Sequence, residues 1–302
     1  MKKYWQAIPA SFFALLVAIA LFAAPANAQQ DGKKVSAKEF LASLKFQTGT
    51  ITLPNGIATL NLPESFRYLG ADDSQRILTE AWGNPPGPKP LGMIFPADIS
   101  PLTSEGWGVV VTYDEDGHIK DDDADSIKYD ELLKDMQESS EAANAERKKQ
   151  GYSTLTLVGW AEPPRYDKST HKFYWAKELA SGGETNHALN YNIRVLGRKG
   201  VLVLNAVAGM SQLQAIKGEM RSVVAFTEFL PGNQYADFNS NTDKVAEYGL
   251  AALVAGGVAA KLGFFGKIFA FLLAFKKLLL LGLAAVGTVA YKFFTGKKKE
   301  AE

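Results

Sequence analysis

The sequence predicts an α+β fold: a mainly antiparallel sheet with packed helices, plus a C-terminal transmembrane helix or helical hairpin. Three observations predict it. Four strand-like segments follow one another between Leu155 and Ala208, helical periodicity is set apart from that run, and the chain ends in a long apolar stretch studded with lysines. Adjacent strands with segregated helices form antiparallel sheets, because parallel pairing needs a crossover between each pair.

In chain order, Ser36 to Phe46 carries Phe40, Leu41 and Leu44 at helical spacing, with Ser36 and Glu39 placed as a capping box. Ile51 to Leu53, Pro54-Asn55-Gly56 and Ile57 to Leu62 read as a hairpin whose Asn-Gly supplies positive φ. Asp72 or Asp73 caps a helix running to Trp82, which Gly83-Asn84-Pro85-Pro86 ends. Leu91 to Phe95 and Trp107 to Tyr113 are strands. A long helix over 126–150 puts Tyr129, Leu132, Leu133, Met136, Ser140 and Ala143 on one face. Strands then cover Leu155 to Ala161, Lys172 to Leu179, Ala188 to Leu196 and Val201 to Ala208, with a turn at Arg198-Lys199-Gly200. A helix from Ser211 to Phe226 and a polar linker, Gly232 to Asp243, complete the middle.

The net charge of +1 averages three unlike parts. Residues 1–28 hold two lysines and no acid, residues 249–302 hold eight lysines and two glutamates, and the stretch between holds 23 basic and 30 acidic residues. Such asymmetry points to a membrane or a charged partner, and a net-negative middle argues against nucleic acid. With no cysteine in the chain, disulfides, thiolate nucleophiles and zinc-thiolate or iron–sulfur sites are excluded.

At the N-terminus Lys2 and Lys3, an apolar run from Ala7 to Ala24 and Ala26-Asn27-Ala28 read as a signal peptide over residues 1–28, cleaved after Ala28. The expected organisation continues with a periplasmic α+β domain over 29–240, a membrane anchor over 241–296 and a charged tail over 297–302. The anchor is almost wholly apolar from Tyr248 to Phe294, broken by Lys261, Lys267, Lys276, Lys277 and Lys292. Val245 to Ala260 and Leu278 to Tyr291 are its candidate spans, and one span or a two-span hairpin both fit. Membrane lipid is therefore an expected partner through residues 245–294, and the bacterial inner membrane the expected location, with the main domain facing the periplasm.

Chemistry-bearing constellations are sparse. Thr112 to Asp123 imitates a calcium loop but offers threonine at its first position and aspartate at its last. Its plain alternative is a hairpin turn at Asp116-Gly117 leading to an acidic helix start. His118, His171 and His187 lack metal-ligand spacing, and no phosphate-binding, dinucleotide or nucleophile-elbow motif occurs, so neither metal nor cofactor is expected. His171 with Asp167 is the weak candidate for acid–base work, and Glu162 with Asp167 a chance pair of carboxylates. In 190–198, alternation places Asn190, Asn192 and Arg194 on one face and Tyr191, Ile193 and Val195 on the other. Two amides and a guanidinium in line form a candidate face for an anionic or glycan-like ligand; the alternative is the polar outer side of a half-buried sheet. Trp82, Trp107, Trp160 and Trp175 are core aromatics by default.

Several phrases together resemble one bacterial family of uncharacterised membrane-anchored proteins, domain of unknown function 2167. They include Trp82-Gly83-Asn84-Pro85-Pro86, Trp107-Gly108-Val109, Asp121-Asp122-Asp123-Ala124, Pro164-Arg165-Tyr166-Asp167, Trp175-Ala176-Lys177 and the stretch from Leu189 to Arg198. The resemblance spans about residues 45 to 290, implies an envelope protein and brings no site residue. The resulting expectation is a non-enzymatic binding or accessory module for an envelope component, with an envelope protein as partner. The alternative is an envelope hydrolase or other enzyme acting on lipid, glycan or peptide.

Overall fold

The computed structural model describes residues 36–182 and 184–255. The signal segment, the second candidate span and the charged tail lie outside those residues. No helix among the described residues is long and apolar enough to cross a membrane.

The described residues open with α1 (Ala37–Ala42), where Ser36 Oγ accepts from the Glu39 amide and Glu39 returns a carboxylate to the Ser36 amide at 2.9 Å. The predicted hairpin pairs β1 (Thr50–Thr52) with β2 (Ala58–Asn61), and Asn55 and Gly56 carry φ of 62° and 63° between them. On its other side β2 pairs with β10 (Thr227–Phe229), giving a three-stranded antiparallel sheet.

The main sheet is seven-stranded in the order β3-β4-β5-β9-β8-β7-β6, every neighbouring pair antiparallel. Its strands are β3 (Phe66–Gly70), β4 (Gly92–Pro96), β5 (Gly108–Asp114), β6 (Leu155–Asp167), β7 (Lys172–Ser181), β8 (Ala188–Leu196) and β9 (Val201–Gly209). The sequence reading has no counterpart for β3 or β10. Phe66, Tyr68 and Leu69 are all buried, so β3 lacks the polar alternation that marks a half-solvated strand.

Between β3 and β4 lies α2 (Ala71–Arg76). Gly70 is its N-cap, not Asp72 or Asp73: Asp73 is already turned to the Lys45 amide at 2.8 Å, and both acids sit in the first turn, where the helix dipole favours them. The helix widens to a π-turn over Ile77–Ala81 and stops at Gly83, φ 64°. The long helix α3 (Tyr129–Lys149) and then α4 (Leu213–Ala225) cover opposite faces of the sheet.

On the α4 face, Leu189, Tyr191, Ile193, Leu202, Leu204 and Ala206 meet Ile216, Met220 and Val223, with the small sheet closing the far end. On the α3 face two apolar clusters form. One joins α1 and α2 to Met93, Phe95, Val110, Leu157 and Leu179. The other gathers Ile119, Phe173, Trp175, Leu196, Val201 and Val203.

The segment after β5 does not turn back as a hairpin at Asp116-Gly117. His118 instead bridges in parallel to Val245, through amide bonds of 2.9 Å to Lys244 and from Ala246. Gly117 permits this: its φ is +117°, and a Cβ there would stand 2.8 Å from the Lys244 carbonyl oxygen. The polar stretch expected to act as a linker is likewise folded onto the domain. Arg198 clamps Asp243 with two bonds of 2.7 and 3.1 Å, and Tyr235 donates to the Ile119 carbonyl at 2.9 Å. Tyr248 donates to Asp116 at 2.6 Å, and the Leu250 amide reaches Asp123 at 3.2 Å.

A short helix, α5 (Leu250–Ala255), then inserts Leu250, Leu253 and Val254 into the second apolar cluster. Burying one such leucine contributes about 2 kcal/mol. The folded unit therefore runs past residue 240 to Ala255, and the described part of the first candidate span, residues 245–255, packs on the domain.

Candidate functional site

Alternation along β8 is as the sequence predicts, but neither face is solvated. Asn190 and Asn192 are each only 3% exposed. Arg194 lies with its guanidinium over the Trp175 ring, 4.9 Å from the centroid. The pairing register sets Lys177 opposite Asn190 and Asn192 between Trp175 and Asn205, so these side chains form a polar belt inside the α3 face. The belt separates the two apolar clusters. Both the outer polar face and an open ligand face are thereby corrected: α3, α5 and the segment after β5 cover what a lone strand would leave wet.

Burial pushes Lys177 down to about 8, with the nearby Arg194 charge adding to the effect. It lowers Arg194 to about 10 against the opposing influence of Asp114. Among the described residues Lys177 has no carboxylate partner. The Trp175 indole N–H and Asn205 Oδ1 are buried without a hydrogen-bond partner among the described residues.

The acid–base pair is not formed. Asp167 accepts from Ser169 and Thr170 within its own turn, at 2.6 Å from the Ser169 hydroxyl. His171, at φ 52°, turns the other way: Nδ1 lies 3.3 Å from the Tyr166 hydroxyl and 3.5 Å from Asp121. Its ring stacks on Tyr235 at 3.9 Å, Tyr235 on His118 at 4.3 Å, and His118 on Phe238 at 3.9 Å. This column of rings ties the segments after β5 and β10 to the β6–β7 turn. Burial holds the buried His118 below its ordinary value. His187 pairs with Glu178 at 2.5 Å. No cluster among the described residues has three metal-ligating side chains.

The open site lies on the other face. Because α4 runs over β8 and β9, the sheet beyond it, on β6 and β7, is left partly uncovered. There a cavity of about 670 Å³ opens between β6 and α4. Lys217, Met220, Arg221 and Val224 line one wall at i, i+3, i+4 and i+7 of α4. Arg165, Tyr174, Tyr191 and Ile193 come from three neighbouring strands to line the other.

Among the described residues Glu162 is the one carboxylate lining the cleft, and it is already engaged. Lys217 pairs with it, and the Tyr191 hydroxyl donates to it at 3.3 Å. Burial, then the Glu162 charge, pushes Tyr191 up to about 12, so that phenol stays protonated. The Arg165 guanidinium stacks over the Tyr174 ring at 4.7 Å. Neither Arg165 nor Arg221 has a carboxylate partner among the described residues.

Three cations against one acid make this cleft positive on a domain that is otherwise acidic. Sequence reasoning named Glu162, Arg165, Tyr191 and Ile193 separately but did not join them into a site. The readable signal was the α4 stripe, in which two cations flank apolar residues.

Among solved structures, the chain resembles cyanobacterial PsbP (CyanoP) from Synechocystis, with a TM-score of 0.35 and 11% identity over 67% of this chain and 99% of that one. It also resembles the Ran-binding protein Mog1p of Saccharomyces cerevisiae, with a TM-score of 0.33 and 10% identity over 65% of this chain and 100% of that one. At that distance neither lends this chain a residue, a ligand or a partner. No curated protein matches it. The model of one family, described as a protein of unknown function (DUF2167), matches residues 45–287, and the chain belongs to that family.

Proposed function

We propose that this protein is a non-enzymatic binding module, held on the bacterial inner membrane with its domain facing the periplasm, and that it receives an envelope component in the cleft beside α4. The observation that carries this reading is the cleft itself. It is an open cavity of about 670 Å³ lined by both apolar and charged side chains, within the range of about 300–1,000 Å³ usual for ligand sites. The location rests on the charged, apolar and small-residue segments of 1–28 and on the lysine-studded apolar stretch. One or two membrane helices within 241–296 serve the reading equally.

The test uses the full chain in an exporting bacterial host, with a photoreactive benzoylphenylalanine at Val224 in the cleft or at exposed Glu138 on α3 as control. Irradiation is expected to give discrete adducts at Val224 and none at Glu138. Equal labelling at both positions, or none at either, removes the cleft as the binding site.

A further inference from the structure

Resting on that reading, we infer that the cleft takes an acidic amphiphile: an oxyanion head, phosphate or carboxylate, on an apolar body. The head is assigned by what the cleft leaves unsatisfied. Lys217 is neutralised by Glu162, whose second oxygen accepts from Tyr191. The two arginines have no such partner. The Arg165 guanidinium carbon lies over the Tyr174 ring, 4.7 Å from its centroid, which holds the side chain at the cleft while its N–H donors have no carboxylate partner among the described residues. A planar fork presented this way matches two oxygens of a carboxylate or phosphate, and a lysine would not reproduce that geometry.

Arg221 comes from α4 and Arg165 from β6, on opposite walls of the cleft. Both line the same cavity, so an anion held there feels the two charges together. Charge of one sign focused in a partly walled cleft attracts an anion even when the surrounding surface is acidic.

The body is assigned by the apolar lining. Ala161, Pro163, Tyr174 and Val224 are the lining residues that offer partly exposed apolar surface, while Ile193 and Met220 are buried in the core. A small inorganic anion would leave that surface wet, and a neutral lipid would leave both arginines unmatched. A ligand that satisfies both must carry an acid at one end and hydrocarbon at the other. A membrane phospholipid and a free acidic metabolite share this chemistry, and the experiment separates them.

Calorimetry of the full chain in phosphatidylcholine nanodiscs, blanked against empty discs, would compare octyl phosphate, inorganic phosphate and octanol. Octyl phosphate is expected to bind at least tenfold more tightly than either other probe. Arg165→Gln with Arg221→Gln should lower that affinity at least tenfold, while Lys134→Gln with Lys148→Gln on α3 leaves it unchanged. Replacing part of the disc lipid by phosphatidylglycerol should suppress the octyl phosphate signal if the source is a membrane lipid, and leave it intact if the source is a free acid.

Octanol binding as tightly as octyl phosphate, with no effect of the arginine variants, overturns the acidic-amphiphile inference while leaving the cleft a binding site. The inference falls in the same way if no probe binds but Val224 still gives photo-adducts. Absence of both adducts and binding overturns the inference and the binding-module reading together.

Discussion

Replacing Lys177 by methionine should stabilise the domain, and only where the lysine is charged. Burial lowers Lys177 from 10.5 to about 8. Each tenfold weakening of proton binding corresponds to about 1.4 kcal/mol, so the folded state carries a penalty of about 3 kcal/mol for holding this charge in the belt. Lys177 keeps some contact with solvent, which reduces the gain to between about 1 and 3 kcal/mol. A methionine has nearly the same reach and needs no counter-charge, and it also removes the repulsion felt by Arg194.

The sign of the pH dependence follows from the lowered value. Below about 8 the lysine is charged in both folded and unfolded chains, and the whole penalty is present. Between about 8 and 10.5 the unfolded chain holds the extra proton, so stability of the unsubstituted protein rises with pH. The advantage of Lys177→Met is therefore greatest at neutral pH and shrinks to less than half by about pH 9.5. Urea unfolding in neutral detergent, followed by tryptophan fluorescence, reads the difference as an upward midpoint shift of about 0.5–1 M at pH 7. A variant no more stable at pH 7, or with a gain that does not change with pH, refutes a desolvated charge at this position.

Three shorter predictions concern the segment from Gly232 to Ala255. Gly117→Ala meets a φ of +117° and the Lys244 carbonyl, so it should destabilise the domain by about 1–3 kcal/mol and expose 232–249 to limited proteolysis. Leu250→Ala should lower stability by about 2–5 kcal/mol, whereas an unstructured tether would show no change in thermal unfolding. Asp243 is held down to about 2 by Arg198, first, and the Asn239 amide, against an ordinary 3.8. Its contribution is complete above 3.8 and lost as pH falls through about 2. Asp243→Asn should therefore speed amide exchange across 232–249 at pH 5, with the difference from the unsubstituted protein closing at about pH 2.

How far the sequence could be read depended on whether each signal was local. The capping box at Ser36, the Asn55-Gly56 turn and the span of β8 are legible because the residues that fix them are neighbours in the chain. The belt was half legible. Period-two alternation sorts Asn190, Asn192 and Arg194 from Tyr191 and Ile193, but it cannot say whether a polar row faces water. That depends on α3 and α5 arriving from elsewhere, and α5 comes from a segment whose apolar composition reads equally well as a membrane helix. Asp167 beside His171 looks like a pair until the Ser169 and Thr170 donors of the turn are counted. The cleft was illegible for a different reason. Its walls come from β6, β7, β8 and α4, and only tertiary packing leaves that part of the sheet uncovered.

Belt and cleft share β7 and β8 but occupy opposite faces, and this makes them mutual controls. Tyr174 and Tyr191 face the cleft; Lys177 and Arg194 face the belt, on alternate residues of the same strands. Side chains on the two faces of one sheet point apart, so neither group touches the other. Lys177→Met should thus leave the octyl phosphate affinity unchanged while raising the urea midpoint. Arg165→Gln with Arg221→Gln should weaken binding while leaving the midpoint within about 0.3 M, because both arginines are exposed. If Lys177→Met weakened octyl phosphate binding as much as the arginine pair does, the strands would transmit strain through the sheet. The binding loss could then no longer be assigned to contacts inside the cleft.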